Sequence, residues 1–431
     1  MLDPLQQHYE TLAYPAMSHP PSDPAVSAAS AALRGHWAPD PAHATILEIG
    51  CGSGLNLIPL AFRWPKSRLV GIDLSRSAIA EATALAAEAG VSNVRFIAAD
   101  LREFQTAPGA VDFIIAHGFL SWVPDDVKAA LFTTCEHSLS PQGIATISFN
   151  VRSGWEARFP VIEKTRAILA AGAADLPTAL GILRSVTDPN SPEIPIIDDM
   201  LAKGPIILAC DDFSPVNDPM SLEEVANAAE NNRLKWIGES EYAENFRHSP
   251  SGELPDQIAV DVENLRTFRS TVFSRKYPES VDIETVIKRA SICAQVSSSI
   301  ANETFKHWIE STAFDDGHCV PLDSLPLSPT NLKHLLESGE LIPRIEPVRF
   351  DPRPPERPCL NSFRRACARR HLPLVDVWHK ACAFPAAHYQ VLSSMDGTRD
   401  IAGLARFSES RCPDLDFHPW LDHLAARGMF A

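Results

Sequence analysis

The sequence predicts an α/β protein built on a doubly wound, mostly parallel sheet, and three observations carry that expectation. A short apolar run ending at Ile49 breaks into an alternating glycine turn, Gly50-x-Gly52-x-Gly54. Two further apolar runs end in carboxylates, Asp73 and Asp100. Helical stretches alternate with these runs, the order from which parallel sheets are assembled.

Taken in order, residues 45–49 read as a buried strand, the glycines as a turn and residues 55–63 as a helix. That layout aims backbone amides and a helix N-terminus at a ligand. The spacing differs from the dinucleotide fingerprint, whose third glycine comes three positions after the second. Residues 68–73 form the second strand, and a carboxylate at its tip can accept both hydroxyls of a ribose that has no 2′-phosphate. The alanine-rich stretch 77–89 is helical, with Gly90 as its stop. Residues 93–98, 111–116 and 143–149 read as the third, fourth and fifth strands, with a helix over 125–139. Plainer readings exist at each point. Asp73 suits a helix N-cap before Ser75 and Ser77, Asp100 a cap for the turn at Leu101, and Cys51 a small space-filler.

Composition bounds the function. A chain of 431 residues has room for two or three domains. No apolar run approaches the roughly 18 to 20 residues that span a bilayer, and residues 1–8 lack the basic start and apolar stretch of a signal peptide. Nine cysteines without CxxC pairs fit reduced thiols in a cytoplasm and no zinc site. A net charge of −16 argues against nucleic acid as partner and favours a basic one, such as a lysine-rich protein segment. The one basic cluster, residues 364–370, reads as a solvated helical face.

Beyond the fifth strand, residues 159–173 form an amphipathic helix, and a proline-punctuated stretch follows to about residue 219. Ser221 opens a helix with Glu223 and Glu224 in its first turn. Residues 234–239 and 268–274 then supply the sixth and seventh strands. The first domain is expected to cover 1–276, with 155–219 inserted as a helical lid above the carboxyl edge of the sheet. A middle domain, 277–345, holds helices over 281–294 and 331–338. After the proline-rich join near residues 347–358, residues 346–431 form a helical or winged-helix-like block with a tight turn at Asp396-Gly397. Dimerisation, giving a homodimer, or substrate docking is its expected role.

Several stretches resemble one bacterial group. Glu48-x-Gly50-x-Gly52-x-Gly54 resembles motif I of the class I S-adenosylmethionine (SAM)-dependent methyltransferases, and its extension to Asn56 and Pro59 resembles members carrying a methyltransferase regulatory domain. These include bacterial protein-lysine methyltransferases. Tyr14-Pro15 through Pro20, the His117-Gly118 through Pro124 segment, Asn150 with Gly154-Trp155, residues 212–239 and residues 395–400 extend the likeness over most of the chain. Phe149 and Ser153 depart from the usual Tyr and Pro.

The resemblance implies a Rossmann-like seven-stranded sheet and SAM as cofactor, with S-adenosylhomocysteine (SAH) as product. It implies cofactor contacts from Tyr14, Glu48, Gly50, Cys51, Gly52, Gly54, Asn56, Asp73, Leu74, Asp100, Leu101 and His117. It also implies an acceptor pocket of Phe119, Trp122, Asn150 and Trp155, with His117 as the catalytic candidate and no metal. The acceptor amine must be uncharged to attack, so a lysine has to lose its proton on desolvation or to a neighbouring group. His117 can serve there, or can instead shape its loop by bonding a carbonyl. Three functions fit: lysine N-methylation of a protein, methylation of a small molecule or natural-product intermediate, and SAM binding without turnover. The intact turn, Asp73 and the aromatic rim weigh against the last.

Overall fold

The computed structural model describes residues 14–249, 251–290, 292–296, 319–325 and 327–431. The N-terminal stretch examined above for a signal peptide lies outside them.

The alternating pattern folds as expected. Strands β1 (Thr45–Ile49), β2 (Arg68–Asp73), β3 (Val94–Ala98), β4 (Val111–Ala116) and β5 (Leu139–Asn150) pair in parallel, and β6 (Lys235–Glu239) and β7 (Phe268–Ser274) close the seven-stranded sheet in the order β3-β2-β1-β4-β5-β7-β6. The strand β7 runs antiparallel between β5 and β6. The strand order reverses between β1 and β4, the switch point where such sheets bind ligands. One face is covered by α1 (Pro24–Leu33) and α2 (Leu57–Arg63), packed on Ile46, Phe113, Ile115 and Val272. The helices α4 (Asp125–Ser138) and α9 (Leu222–Asn231) cover the other, around Ile114, Ala145 and Phe273. Ser221 and Glu224 form a full capping box at the start of α9. The helix α3 (Arg76–Ala89) stops at Gly90, whose φ of +72° ends it without steric cost.

The helical segment expected as a lid begins earlier than the sequence suggested. The first of its helices, α5 (Arg152–Ala170), continues directly from β5 because Gly154 lets it pass close to the carbonyls of Leu265 and Arg266, where a Cβ would stand 2.5 Å away. The lid continues as α6 (Leu176–Val186), α7 (Glu193–Leu201) and α8 (Pro205–Cys210), around a separate core of Trp155, Ile162, Leu180 and Ile197. Pro177 and Pro205 stand in the first turns of α6 and α8, and Pro160 lies inside α5.

The expected helix over 281–294 is shorter. It ends as α11 (Ile283–Ala290), and Cys293–Val296 is a strand, β8, because its apolar residues pair antiparallel with β10 (Leu341–Arg344) and β9 (Val320–Pro321). This small sheet shares a core with α1. The C-terminal region holds α13 (Ser362–Arg369), a two-stranded hairpin of β11 (Leu374–Val375) and β12 (Ala381–Cys382), then α14 (His388–Ser393), α15 (Ile401–Arg411) and α16 (Phe417–Ala426). It packs on α3 through Phe363, Leu360, Leu85 and Leu55. Its basic run is a solvated face only at its end, where Arg369 and Arg370 are exposed. Arg364 is buried, with its guanidinium on the carbonyls of Val375, Met429 and Ala431, and Arg369 and Arg370 both pair with Glu88.

The N-terminal segment is bound in by charge. Asp23 is fully buried, caps α1 through the Ala25 amide, and accepts from Arg63 and Arg344, each at 2.6 Å. Burial alone would raise its pKa, but the Arg344 and Arg63 charges outweigh that and hold it far below the carboxylate range. Removing one partner of a buried pair strands the other charge. We expect Arg344→Ala to cost about 3 kcal/mol, read as a lower urea midpoint. Since the folded-state value is depressed, this stabilisation is complete above about pH 4 and is lost as pH falls further, which an acid titration of the wild type measures.

Candidate functional site

At the carboxyl edge of the sheet a cavity of about 530 Å³ opens beside the glycine turn. The segment 14–19 borders it from the N-terminal side, and α5, α7 and the loop after α8 border it from the lid. Every residue proposed above for cofactor, catalysis or acceptor lines this cavity except Gly54. Gly54 has a φ of +79° and stands against Phe96 and Ala82, where a Cβ would approach to 2.8 Å, so its role is to let the turn pack on α3 and β3.

The turn is held by the neighbouring strand. Gly50 and Cys51 donate to the Ile72 carbonyl at 2.8 and 3.0 Å, and Gly52 donates to Asp73 Oδ2 at 2.9 Å. Asp73 also accepts from the Ser75 amide. These bonds orient Asp73 at the tip of β2. The N-cap reading is divided: Asp73 fixes the turn, while Ser75 caps α3. Asp100 is clamped by the Arg102 guanidinium, which lowers its pKa chiefly by hydrogen bonding and also bridges to Asp126. Its side chain thus faces a fixed cation at the cavity wall.

Glu48 is buried, accepts from Asn56 Nδ2 at 2.7 Å through one oxygen, and has no partner for Oε2. Burial raises its pKa to about 8 against the Asn56 hydrogen bond. A buried acceptor with nothing to accept fits an incoming cation, and the amino group of a methionine-derived ligand is one. The glycine amides, Asp73 and this orphaned oxygen form a donor and acceptor set suited to SAM.

His117 is half-buried, and its buried Nδ1 also lacks a partner, so the carbonyl-bonded reading does not describe that atom. Its ring stacks on His19 at 3.9 Å and lies 5.5 Å from Phe268. Loss of water first, then the neighbouring His19 and His379, keep His117 well below its usual pKa, and burial brings His19 to about 4. Both rings are neutral at physiological pH. Trp122 and Trp155 meet edge to face at 6.3 Å, and Trp155 Nε1 donates to the Thr267 carbonyl. Asn150 is buried, bonded to Asn217. Phe119 lies over Gly50, where a Cβ would come within 2.8 Å.

Sequence reasoning missed His19, Arg158 and Asp211. The histidine had a signal, since it sits in the Tyr14 to Pro20 segment. The other two come from the lid, which has no recognisable pattern. Arg158 is buried and paired with Asp212 and Asp199, and Lys203 pairs with Asp212. Asp211 hydrogen-bonds the Tyr14 hydroxyl, and burial raises its carboxyl to about 6.

Fold and site define a class I SAM-dependent methyltransferase domain. Residues 46–143 match the family described as methyltransferase domain. Among particular relatives, the structure of PKMT2 from Rickettsia typhi in complex with AdoHcy superposes with a TM-score of 0.80, covering 96% of each chain at 17% identity. An uncharacterized protein of Rickettsia prowazekii is 37% identical over 34% of this chain and 27% of its own. A trans-aconitate 2-methyltransferase of Escherichia fergusonii is 36% identical over 24% of this chain and 37% of its own. The chain thus spans well under half the length of these two curated relatives.

Two outcomes follow from the cavity. Gly50→Ala should weaken SAH binding at least about tenfold, since Phe119 and the positive φ both oppose a Cβ; calorimetry measures it. Glu48, protonated at pH 7 when the site is empty, should ionise on meeting the ligand's ammonium. Titrations in buffers of different ionisation enthalpy should then show release of up to about one proton per SAH, absent in Glu48→Gln.

Proposed function

We propose that this chain is a SAM-dependent N-methyltransferase whose acceptors are lysine side chains of a protein. The observation that supports it best is Asp211: a lid carboxyl raised to about 6, bordering a cavity walled by Trp122 and Trp155 and by two neutral histidines. A carboxylate beside aromatic faces attracts an ammonium group. Bound SAM supplies an electrophilic methyl carbon on a sulfonium.

What the chain contributes is alignment, dryness and, in the Asp211 carboxylate, an acceptor for the proton that the lysine must lose. The glycine turn and Asp73 fix the donor side. Trp122, Trp155 and Phe119 exclude water from the acceptor, which lowers the pKa of a lysine entering there. Asp211 meets the cation at the lid, and the unpartnered Nδ1 of His117 offers an acceptor for an N–H. His117 stays uncharged, so it does not repel the ammonium.

The net charge of −16 favours a basic protein segment as partner, and the name PKMT2 of the similar solved structure agrees with the lysine-methylating group that the sequence resembles. The second reading, a small acceptor, has the trans-aconitate relative in its favour. An anionic acceptor requires a free cation, however, and Arg158 and Lys203 at this cavity are both committed to lid carboxylates.

Incubation with labelled SAM and a lysate should put label in protein bands. Label in the small-molecule fraction favours the second reading, and undiminished labelling of a lysine-blocked lysate would overturn the first. Asp211→Asn should raise the acceptor KM about tenfold, the order of one charge-assisted hydrogen bond, with the SAM KM unchanged. In the wild type, acceptor KM should rise as pH falls through about 6, because Asp211 is then protonated; initial rates from pH 5 to 8 measure this.

A further inference from the structure

The C-terminal hairpin reaches the cofactor site through one side chain. Between β11 and β12, Asp376 gathers the turn by accepting from the Trp378 and Lys380 amides, and Arg427 holds Asp376 at 2.6 Å. The turn carries His379 into a fully buried position. There His379 has a φ of +63°, a left-handed conformation that a non-glycine residue keeps only where its surroundings fix it. The Ser18 hydroxyl donates to its carbonyl at 3.0 Å. Its ring Nε2 lies 2.8 Å from Asn56 Oδ1.

Asn56 joins the whole site. Its Oδ1 also accepts the His19 amide at 2.9 Å, and a backbone N–H can only donate, which identifies this atom as the oxygen. His379 must therefore carry its proton on Nε2. The Nδ2 of Asn56 donates to Glu48 Oε1 at 2.7 Å, and Glu48 presents its unpartnered Oε2. The His19 ring, on the other side, stacks on His117. A donor from the hairpin thus joins the His19 amide and the Ser22 hydroxyl in fixing the carboxamide that orients both Glu48 and the His19–His117 stack.

We infer that His379 is a positioning residue for cofactor binding, and that the C-terminal hairpin sets SAM affinity by holding Asn56. The inference rests on SAM as the ligand of this cavity. Any partner that moves the turn 376–380 would loosen Asn56, release Glu48 from its orientation and lower affinity for SAM and SAH together.

The test compares two variants that carry the same backbone strain. His379→Gln keeps an N–H donor at similar reach, and His379→Leu fills similar space without one. Calorimetry with SAH should show Leu binding about tenfold more weakly than Gln, the order expected when a buried acceptor loses one of its donors and the carboxamide can turn, with similar melting temperatures without ligand. Equal SAH affinity of the two variants would overturn the inference, because packing alone would then explain the residue. On the wild type, saturating SAH should slow hydrogen exchange of the amides at 376–380. Exchange there that is unchanged by bound SAH would overturn the coupling even if neither variant folds. A wild type that fails to bind SAH at all would instead defeat the SAM reading itself.

Discussion

The site depends on a turn that only glycine permits. After β1 the chain must enter the left-handed region at Gly50 and Gly52, with φ of +76° and +49°, to bring their amides round to the Ile72 carbonyl and Asp73. Side chains there would cost energy in the backbone and, at Gly50, collide with Phe119. Once the turn is made, the amides, the tip of β2 and the start of α2 converge on one volume. The cavity, the orientation of Asp73 and the placement of Glu48 beneath it all follow from that geometry.

Around this turn the protein buries ionisable groups in three different ways. Asp23 stays charged because two guanidiniums compensate for lost water. His19, His117 and His379 stay neutral because burial disfavours their charged forms and no carboxylate offsets it enough. Glu48 and Asp211 stand between, raised to about 8 and 6, where a ligand's charge can decide their state. A structural core would satisfy such groups internally. Unpartnered polar atoms at Glu48 and His117 mark a site that something else can complete.

Much of the fold was legible in the sequence. Strand and helix alternation from residue 45 to 150 survived within a few residues, except that β5 starts four residues early at Leu139, because buried parallel strands and amphipathic helices differ in period and in length; the helix Pro24–Leu33 was not read. The cofactor side was legible for the same reason: its residues sit at fixed offsets from strand ends. The lid was not. Its prolines look like loop punctuation, yet at first-turn positions they open α6 and α8, since no amide bond is lost there. The strand β8 was hidden in a helical pattern because its partners lie far along the chain. Arg364 looked solvated because sequence does not reveal the carbonyls that a fold gathers around a guanidinium.

The sequence by itself determined the sheet, the glycine turn and the carboxylates at the tips of β2 and β3, because local conformation and periodicity decide those. Only the tertiary structure decided who completes the site. It set His19 on His117, drew Asp211 from the lid and His379 from a hairpin 323 residues beyond Asn56, and left Glu48 with an unfilled acceptor. Such contacts depend on the distance between elements in space, and no pattern along the chain encodes that distance.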